Sequence, residues 1–330
     1  MQSTYENKSV LITGGTGSLG QKFVDRVLQH GKPNKVIVLS RDEMKQWEMA
    51  KNYKDERLRF FIGDVRDRSR LMRAFDGVDY VVHAAATKIV PVAEYNPFEC
   101  VKTNVIGAMN VIDCAIEKSV KRVVALSTDK ASSPVNLYGA TKLTSDKLFI
   151  AGNHYATKSG TKFSVVRYGN VVGSRGSFIP FIQSLPLNVK IPVTDERMTR
   201  FMITLDQGLD LIDKAFSEMV GGEIFVKKIP SLSVIEIVKF LRPQSEIETV
   251  GIRPGEKIHE QMIGIEDAPY TYSYDDYFKI LPAINNWSSD PARIGVGQKV
   301  RTDFTYTSDN NTDWMTEQVF IEMMRSEGLI

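Results

Sequence analysis

The first apolar run of the chain, Val10 to Thr13, passes directly into Gly14-Gly15-Thr16-Gly17-Ser18-Leu19-Gly20, with glycines in the spacing G-x-x-G-x-x-G. A strand that turns this tightly into a helix needs residues without a Cβ, both to make the turn and to let backbone amides approach a ligand. The helix dipole favours negative charge at that end, so the geometry suits a pyrophosphate. Gly14, Thr16, Gly17, Ser18, Leu19 and Gly20 are therefore candidate contacts for a dinucleotide.

The rhythm continues through the first half. Lys35 to Leu39, Arg59 to Ile62, Tyr80 to His83, Val123 to Ser127 and Phe163 to Val166 are short runs rich in Val, Ile, Leu or Phe, each followed by a helical pattern. Buried parallel strands with crossover helices read this way. The expected fold is α/β, a doubly wound parallel (Rossmann) sheet with a smaller, interleaved C-terminal domain. Residues 1–170 are expected to bind the dinucleotide and 171–330 the substrate. Beyond Tyr168, prolines at 180, 186, 192, 230, 243, 254, 269, 282 and 291 cut the chain into short elements. Thr204 to Val226 again reads as a helix followed by a strand (Glu223 to Val226), so 204–226 is expected to return to the first domain before Ser233 to Leu241 starts another helix. The segment 270–287, with Tyr270, Tyr272, Tyr274, Tyr277 and Trp287, reads as a loop that covers a ligand, packs on a neighbour or is merely structural.

Composition removes several function classes. A chain of 330 residues with 42% hydrophobic content can bury an enzyme-sized core. Its 42 Lys+Arg and 40 Asp+Glu leave a net charge of +2 and are interspersed, which gives neither a nucleic-acid face nor a polybasic membrane segment. No apolar run approaches the ~20 residues of a membrane helix. The polar stretch Met1 to Lys8 runs straight into a strand and reads as neither signal nor transit peptide, so a soluble cytoplasmic protein is expected. Cys100 and Cys114 lie in helical stretches without a C-x-x-C or a His cluster; they read as reduced, buried thiols, with no metal site.

Ser40-Arg41 ends the second strand, where an acidic residue would accept hydrogen bonds from an adenosine ribose and repel a 2′-phosphate. A hydroxyl with a guanidinium, and Lys45 one turn on, favours NADP over NAD, while Asp42 is alternatively a helix N-cap. Asp64, after the third strand, meets the adenine or caps the next helix; Val65 beside it is a further cofactor contact. Ala84, Ala85 and Ala86 follow His83 as small residues that let a flat cofactor lie against the backbone, and His83 itself reads as structural.

Ser127-Thr128-Asp129-Lys130 and Tyr138-Gly-Ala-Thr-Lys142 carry the chemistry. Of twelve tyrosines only Tyr138 has a lysine four residues later, the spacing that puts both on one helix face. As a phenolate, Tyr138 takes the proton of a substrate hydroxyl while hydride leaves the same carbon for a nicotinamide. A phenol with a pKa of about 10 needs positive charge from Lys142 and the oxidised ring to do this. Lys142 also reaches the nicotinamide ribose, so Tyr138 and Lys142 are cofactor contacts as well, and Thr128 hydrogen-bonds the reacting hydroxyl. Asp129-Lys130 is more than hydride transfer requires. Once a sugar C4 is a ketone, Lys130 can remove the acidified C5 hydrogen, Asp129 can protonate the departing C6 hydroxyl, and hydride can return to C6. Lys130 must then have a lowered pKa and Asp129 must keep a proton, which only a coupled, dry pair reconciles. The plainer alternative is an Asp-Lys pair capping the following loop.

Together with Arg167-Tyr-Gly-Asn-Val171 and Ile252-Arg-Pro-Gly-Glu-Lys257, these stretches resemble the extended short-chain dehydrogenase/reductases. More narrowly they resemble the inverting UDP-N-acetylglucosamine 4,6-dehydratases that open the pseudaminic acid pathway, from about Lys8 to the segment Tyr306 to Asn311. The resemblance implies Tyr138 as the C4-hydroxyl base, Asp129 as acid, Lys130 as C5 base, Thr128 and Lys142 as supports, and a tightly bound NADP regenerated in each cycle. Retaining nucleotide-sugar dehydratases carry Asp-Glu at this place, so Lys130 implies inversion at C5 and a UDP-2-acetamido-2,6-dideoxy-β-L-arabino-hexos-4-ulose product. It further implies Asn170 and Arg253 at the UDP diphosphate, Glu256 and Arg200 nearby, and Lys88 close to the sugar; Arg200 and Lys88 are alternatively solvated or bound to a carboxylate. Thr87-Lys88-Ile89 stands where relatives tend to have Leu-Lys-His, which leaves room for an altered sugar preference. A homo-oligomer built on the helix of Tyr138 and Lys142 is also implied. Two readings compete: a nucleotide-sugar 4-epimerase, which has no use for Asp129-Lys130, and a nucleotide-sensing scaffold, which would tend to lose Tyr138 or Lys142.

Overall fold

Strands without a polar face must be covered on both sides, and the chain meets that demand with one central sheet. The computed structural model describes residues 4–174 and 176–330. Its strands β1 (Ser9–Thr13), β2 (Lys35–Ser40), β3 (Leu58–Ile62), β4 (Tyr80–His83), β5 (Arg122–Leu126) and β6 (Lys162–Arg167) pair in parallel in the order β3-β2-β1-β4-β5-β6. Val10, Leu11, Ile12, Val36, Val38, Val81, Val82, Val123 and Val124 are wholly buried between helical layers. Those layers comprise α1 (Ser18–His30), α2 (Glu43–Asn52), α3 (Arg68–Ala74), α4 (Val90–Tyr95), α5 (Pro97–Val101), a π turn at Lys102–Ile106, α6 (Gly107–Glu117) and α7 (Leu137–Tyr155). Winding runs outward from β1 to β3 and restarts on the other side at β4. The chain therefore diverges at the carboxyl ends of β1 and β4 and leaves a crevice there.

The second half alternates between this sheet and a separate core. After β7 (Asn170–Val171), α8 (Phe178–Ser184), β8 (Ile191–Val193) and β9 (Thr199–Ile203), a Thr204/Gln207 capping box starts α9 (Leu205–Glu218). Strand β10 (Ile224–Lys227) then joins the main sheet parallel to β6, with Ile224 opposite Val165. Next come β11 (Ser231–Ser233), α10 (Val234–Leu241), β12 (Ile247–Thr249) and β13 (Gln261–Ile263). Strand β9 lies between β7 and β11, and its Met202 packs with Ile182, Leu232, Val238 and Phe320 in the second hydrophobic core.

Strands β14 (Thr271–Ser273), β15 (Tyr277–Ile280) and β16 (Gln298–Lys299) correct the loop reading of 270–287. β15 pairs antiparallel with β10, β14 with β15 and β16 with β14, giving a ten-stranded sheet across the described residues. The aromatic residues serve the core: Tyr272, Tyr277 and Phe278 are buried, and Tyr274 stacks on Tyr277 with centroids 4.6 Å apart. Strands of three and four residues are too short to show an alternation in sequence. The last strand, β17 (Tyr306–Thr307), pairs with β13. Cys100 and Cys114 are buried free thiols, and burial pushes Cys114 up to about 11. Among the described residues no helix is long and apolar enough to cross a membrane.

At the crevice, Thr13 Oγ1 accepts the amides of Ala84 (3.1 Å) and Ala85 (3.2 Å) and lies 2.9 Å from His83 Nδ1. With its lone pairs used, the hydroxyl gives its proton to His83. Burial, then the nearby Lys142 charge, depress His83 to about 3. The unfolded chain therefore binds this proton first, at about 6.5. The stabilisation from neutral His83 is complete above that pH and is lost as pH falls from there towards 3. Between pH 7 and 5, His83→Asn should lose roughly 2 kcal/mol less stability than the parent in denaturant titrations. Equal losses would contradict a neutral, buried imidazole.

Candidate active site

A cleft of about 950 Å³ fills the crevice and runs from the β1–α1 turn to the start of α7. Gly14 turns with φ +68°, and a Cβ there would meet the Ala85 backbone at 3.0 Å. One at Gly20 would sit 2.5 Å from the Gly15 backbone, so glycine is what lets α1 pack against the turn. No side chain caps α1 at Gly17, which leaves its first amides for a ligand. Thr16, Gly17, Ser18, Leu19 and Gly20 line this end with Gly14, and Ser40, Arg41, Lys45, Asp64, Val65, Ala84, Ala85 and Ala86 line its sides. A bare helix end, a floor of alanines and hydroxyls at Thr16 and Ser40 (2.8 Å apart) form a donor set that fits an extended dinucleotide.

Two alternatives left open by the sequence are resolved here. Asp42 caps α2 by accepting Lys45 N–H at 3.0 Å, and Lys45 Nζ lies 3.1 Å from the same carboxylate. Asp67, not Asp64, caps α3; Asp64 instead pairs with Arg66 at 2.6 Å and Arg41 at 3.6 Å.

At the far end, α7 begins at Asn136, whose side chain accepts Gly139 N–H at 2.8 Å. Its buried face is Tyr138, Thr141, Lys142, Ser145, Asp146 and Phe149, a helical period written largely in polar residues. Ser127 Oγ donates to Asp146 Oδ2 at 2.7 Å, which ties the end of β5 to this helix. Thr128 caps the short turn Asp129–Ala131 and donates to Asp129 Oδ1 at 2.9 Å, and its hydroxyl also contacts the Tyr138 phenol. Thr128, Asp129, Lys130, Tyr138 and Lys142 thus share one wall of the cleft. Burial raises Tyr138 to about 12 against the opposing pull of Lys130 and Thr128. Lys142 donates to Leu126 O at 2.7 Å, and burial lowers it.

Lys130 departs from the sequence argument. Its Nζ lies 3.2 Å from Asp129 Oδ1 and 3.0 Å from Glu260 Oε1. Burial alone would lower it, but the two carboxylates outweigh burial and raise it. Asp129 is raised by burial and by Glu260 despite Lys130, the direction that lets it hold a proton. Glu260, 3% exposed, is the residue that sequence reasoning missed, since a single Glu ahead of a three-residue strand carries no pattern. Asn104 was missed too. From the π turn it accepts Thr87 N–H at 2.8 Å and donates to Thr87 O at 3.0 Å and Thr141 Oγ1 at 3.0 Å.

The substrate candidates divide. Lys88 and Asn170 line the cleft, whereas Arg200, Arg253 and Glu256 do not. Arg200 donates to Thr199 O (2.7 Å) and Ile258 O (2.9 Å), with Nε 3.8 Å from Glu260. Arg253 is exposed, and its N–H contacts Glu256 Oε2 at 3.3 Å.

Comparison with known proteins agrees with this geometry. The polysaccharide biosynthesis protein family matches residues 10–282. An inverting UDP-N-acetylglucosamine 4,6-dehydratase of Campylobacter jejuni is 50% identical, over 98% of this chain and 99% of its own. The X-ray structure of Pen from Bacillus thuringiensis superposes with a TM-score of 0.90 at 36% identity, covering 99% of both chains. DesIV, a dTDP-glucose 4,6-dehydratase from Streptomyces venezuelae solved with NAD and TYD bound, gives 0.67 at 27% identity over 76% of this chain and 86% of its own.

Proposed function

The chain belongs to the polysaccharide biosynthesis protein family, within the extended short-chain dehydrogenase/reductases, and from that premise we propose that it is a UDP-N-acetylglucosamine 4,6-dehydratase that inverts C5 and uses NADP. The observation that carries the reading is the Asp129–Lys130 pair, 3.2 Å apart on the wall that also holds Tyr138 and Lys142. A nicotinamide held in the cleft supplies hydride acceptance and return and, when oxidised, the positive charge that a phenol at about 12 needs beside it.

The chain's own groups do the rest. Tyr138 takes the C4 hydroxyl proton, with Thr128 hydrogen-bonding the reacting oxygen. Lys130 Nζ forms an N–H bond as the C5–H bond breaks; that electron pair becomes the C5–C6 π bond, and the C6–O bond breaks as Asp129 delivers its proton to form water. Once hydride has been returned to C6, a proton exchanged with solvent, which balances the one Tyr138 took, would add to C5 from the opposite face and invert the centre. Lys88 and Asn170, which line the cleft, would hold the sugar nucleotide.

NADP is favoured over NAD because Ser40 and Arg41, not a carboxylate, end β2 at the cleft. We extend the proposal to a homo-oligomer formed through the face of α4 and α5, where Tyr95 and Phe98 are 88% and 79% exposed beside α7. The buried, free Cys100 and Cys114 suit the cytoplasm, and the product suits the start of a pseudaminic acid pathway.

Incubated with UDP-N-acetylglucosamine in heavy water, the enzyme should form a 4-keto-6-deoxy sugar with deuterium at C5 and no net consumption of NADP. Lys130→Ala should slow elimination by about 1,000-fold. A product that keeps its C6 hydroxyl, or a Lys130→Ala variant of full activity, would instead identify a 4-epimerase. Arg41→Ser should weaken NADP binding about tenfold while leaving NAD nearly unchanged in fluorescence titration, and equal losses would remove the case for NADP. Light scattering should give more than the monomer mass, with Phe98→Asp shifting it towards one chain; a monomeric parent protein would end the oligomer proposal.

A further inference from the structure

Glu260 belongs to no step above, yet the fold holds it with unusual care. Its side chain is only 3% exposed, with Oε1 3.0 Å from Lys130 Nζ and Oε2 left without a hydrogen-bond partner among the described residues. Its backbone is fastened on both sides to Ser308: Glu260 N–H donates to Ser308 Oγ at 2.9 Å, and Ser308 N–H donates to Glu260 O at 2.8 Å. Ser308 is itself fully buried and hydrogen-bonded to Thr199 Oγ1 at 2.6 Å, so the segment Tyr306 to Asn311 acts as the anchor for this one carboxylate. Arg200 Nε, 3.8 Å away, is the only other cation in contact among the described residues, and Arg200 is spent mainly on backbone carbonyls.

We propose that Glu260 is the positioning residue for Lys130: it aims the amine at C5 and stabilises the positive charge that the amine gains when it takes the C5 proton. This deepens the dehydratase reading and rests on it. The proton count supports it. Before elimination Asp129 is neutral, Lys130 is a free amine and Glu260 is an anion; afterwards Asp129 is a carboxylate, Lys130 an ammonium and Glu260 still an anion. The contacts of Lys130 Nζ with both carboxylates suit that second state, and a proton passed from Lys130 to Asp129 across their 3.2 Å contact regenerates the first. A buried anion 3.0 Å from Nζ therefore favours the transition state as charge develops there. The directions of titration agree: burial pushes Glu260 up but Lys130 and Arg200 hold it low, and burial pushes Asp129 up.

The test isolates Lys130 from hydride transfer. The C5 epimer of the product, a 4-keto-6-deoxy sugar that keeps the substrate's C5 configuration, presents its acidic C5–H to the face that Lys130 attacks, and exchange of that hydrogen for deuterium in heavy water can be followed by NMR across pH. Glu260→Gln should lower the plateau exchange rate about 100-fold and move its inflection down by about one pH unit, with kcat for dehydration falling in parallel and KM changing less than threefold. Glu260→Asp, which keeps the charge one methylene further back, should recover part of the rate and most of the inflection. It carries the same test if Glu260→Gln does not fold. Unchanged exchange in Glu260→Gln overturns the proposal. So does an equal loss in both variants with the inflection unmoved, which is the signature of a structural role. If the parent enzyme forms no 4-keto-6-deoxy product, the dehydratase reading itself fails and takes this inference with it; if the parent turns over and only the Glu260 effect is missing, the dehydratase reading stands.

Discussion

One buried ion pair holds the reacting groups in register. Arg167 and Asp146 are 2% and 1% exposed, with Nη2 3.3 Å from Oδ2, and the same carboxylate oxygen accepts the Ser127 hydroxyl. Asp146 lies one turn beyond Lys142 on α7, Ser127 immediately precedes Thr128, and Arg167 ends β6. Arg167 Nη1 also donates to Met262 O at 2.7 Å, two residues after Glu260. Strand β5, helix α7, strand β6 and strand β13 therefore meet at a single charged contact, and with them Thr128 to Lys130, Tyr138 to Lys142, and Glu260. Removing one partner of such a pair strands the other charge in the core, typically at a cost of about 3–5 kcal/mol. Loss of geometry at the active site would accompany the loss of stability.

From that fixed point the cleft wall divides into two electrostatic regimes. Around Tyr138 and Lys142 burial dominates: the phenol is pushed up, the amine down, and both are driven towards their neutral forms. Around Lys130 the charges alternate, Asp129, Lys130, Glu260 and Arg200, each within 4 Å of the next. Such a chain tolerates burial because every charge has a neighbour of opposite sign. The first regime suits a proton and a hydride leaving one hydroxyl-bearing carbon. The second suits a proton that shuttles inside a pair while net charge stays constant. Thr128 spans the border, with its hydroxyl on Asp129 and in contact with the Tyr138 phenol.

Much of this was legible in the sequence, and what was not failed for physical reasons. Strands β1, β2, β4 and β5 carry apolar runs because both their faces are buried, and these four, with β6 and the edge strand β3, were each found to within a residue or two. The β1–α1 glycines and the Tyr138–Lys142 spacing are local, and the structure places them in one cleft. Long-range contacts leave no such trace. Strands β14 and β15 take their order from pairing with β10, which their own few residues cannot announce. Glu260 comes 130 positions after Lys130, and the sequence argument, seeing only Asp129, put the amine in a lowered state that two carboxylates reverse. Arg200, expected near the diphosphate or on a carboxylate, donates to the carbonyls of Thr199 and Ile258 and lies 3.8 Å from Glu260, a contact no local pattern announces.

The Asn104 clamp shows how the cleft can vary without losing its shape. Both of its bonds to Thr87 are to the backbone, at 2.8 and 3.0 Å, so residue 87 is held whatever its side chain. The third bond, to Thr141 Oγ1, fixes that loop against α7 between Tyr138 and Lys142. A π turn puts an extra residue into the helical path, and here it is what directs Asn104 inward, 1% exposed. The side chains of Thr87-Lys88-Ile89 can therefore change without moving the backbone that Asn104 holds. Ile89 lines the cleft while Thr87 does not, so a change of side chain at 89 alters the cleft surface and leaves the clamped backbone at Thr87 where it was.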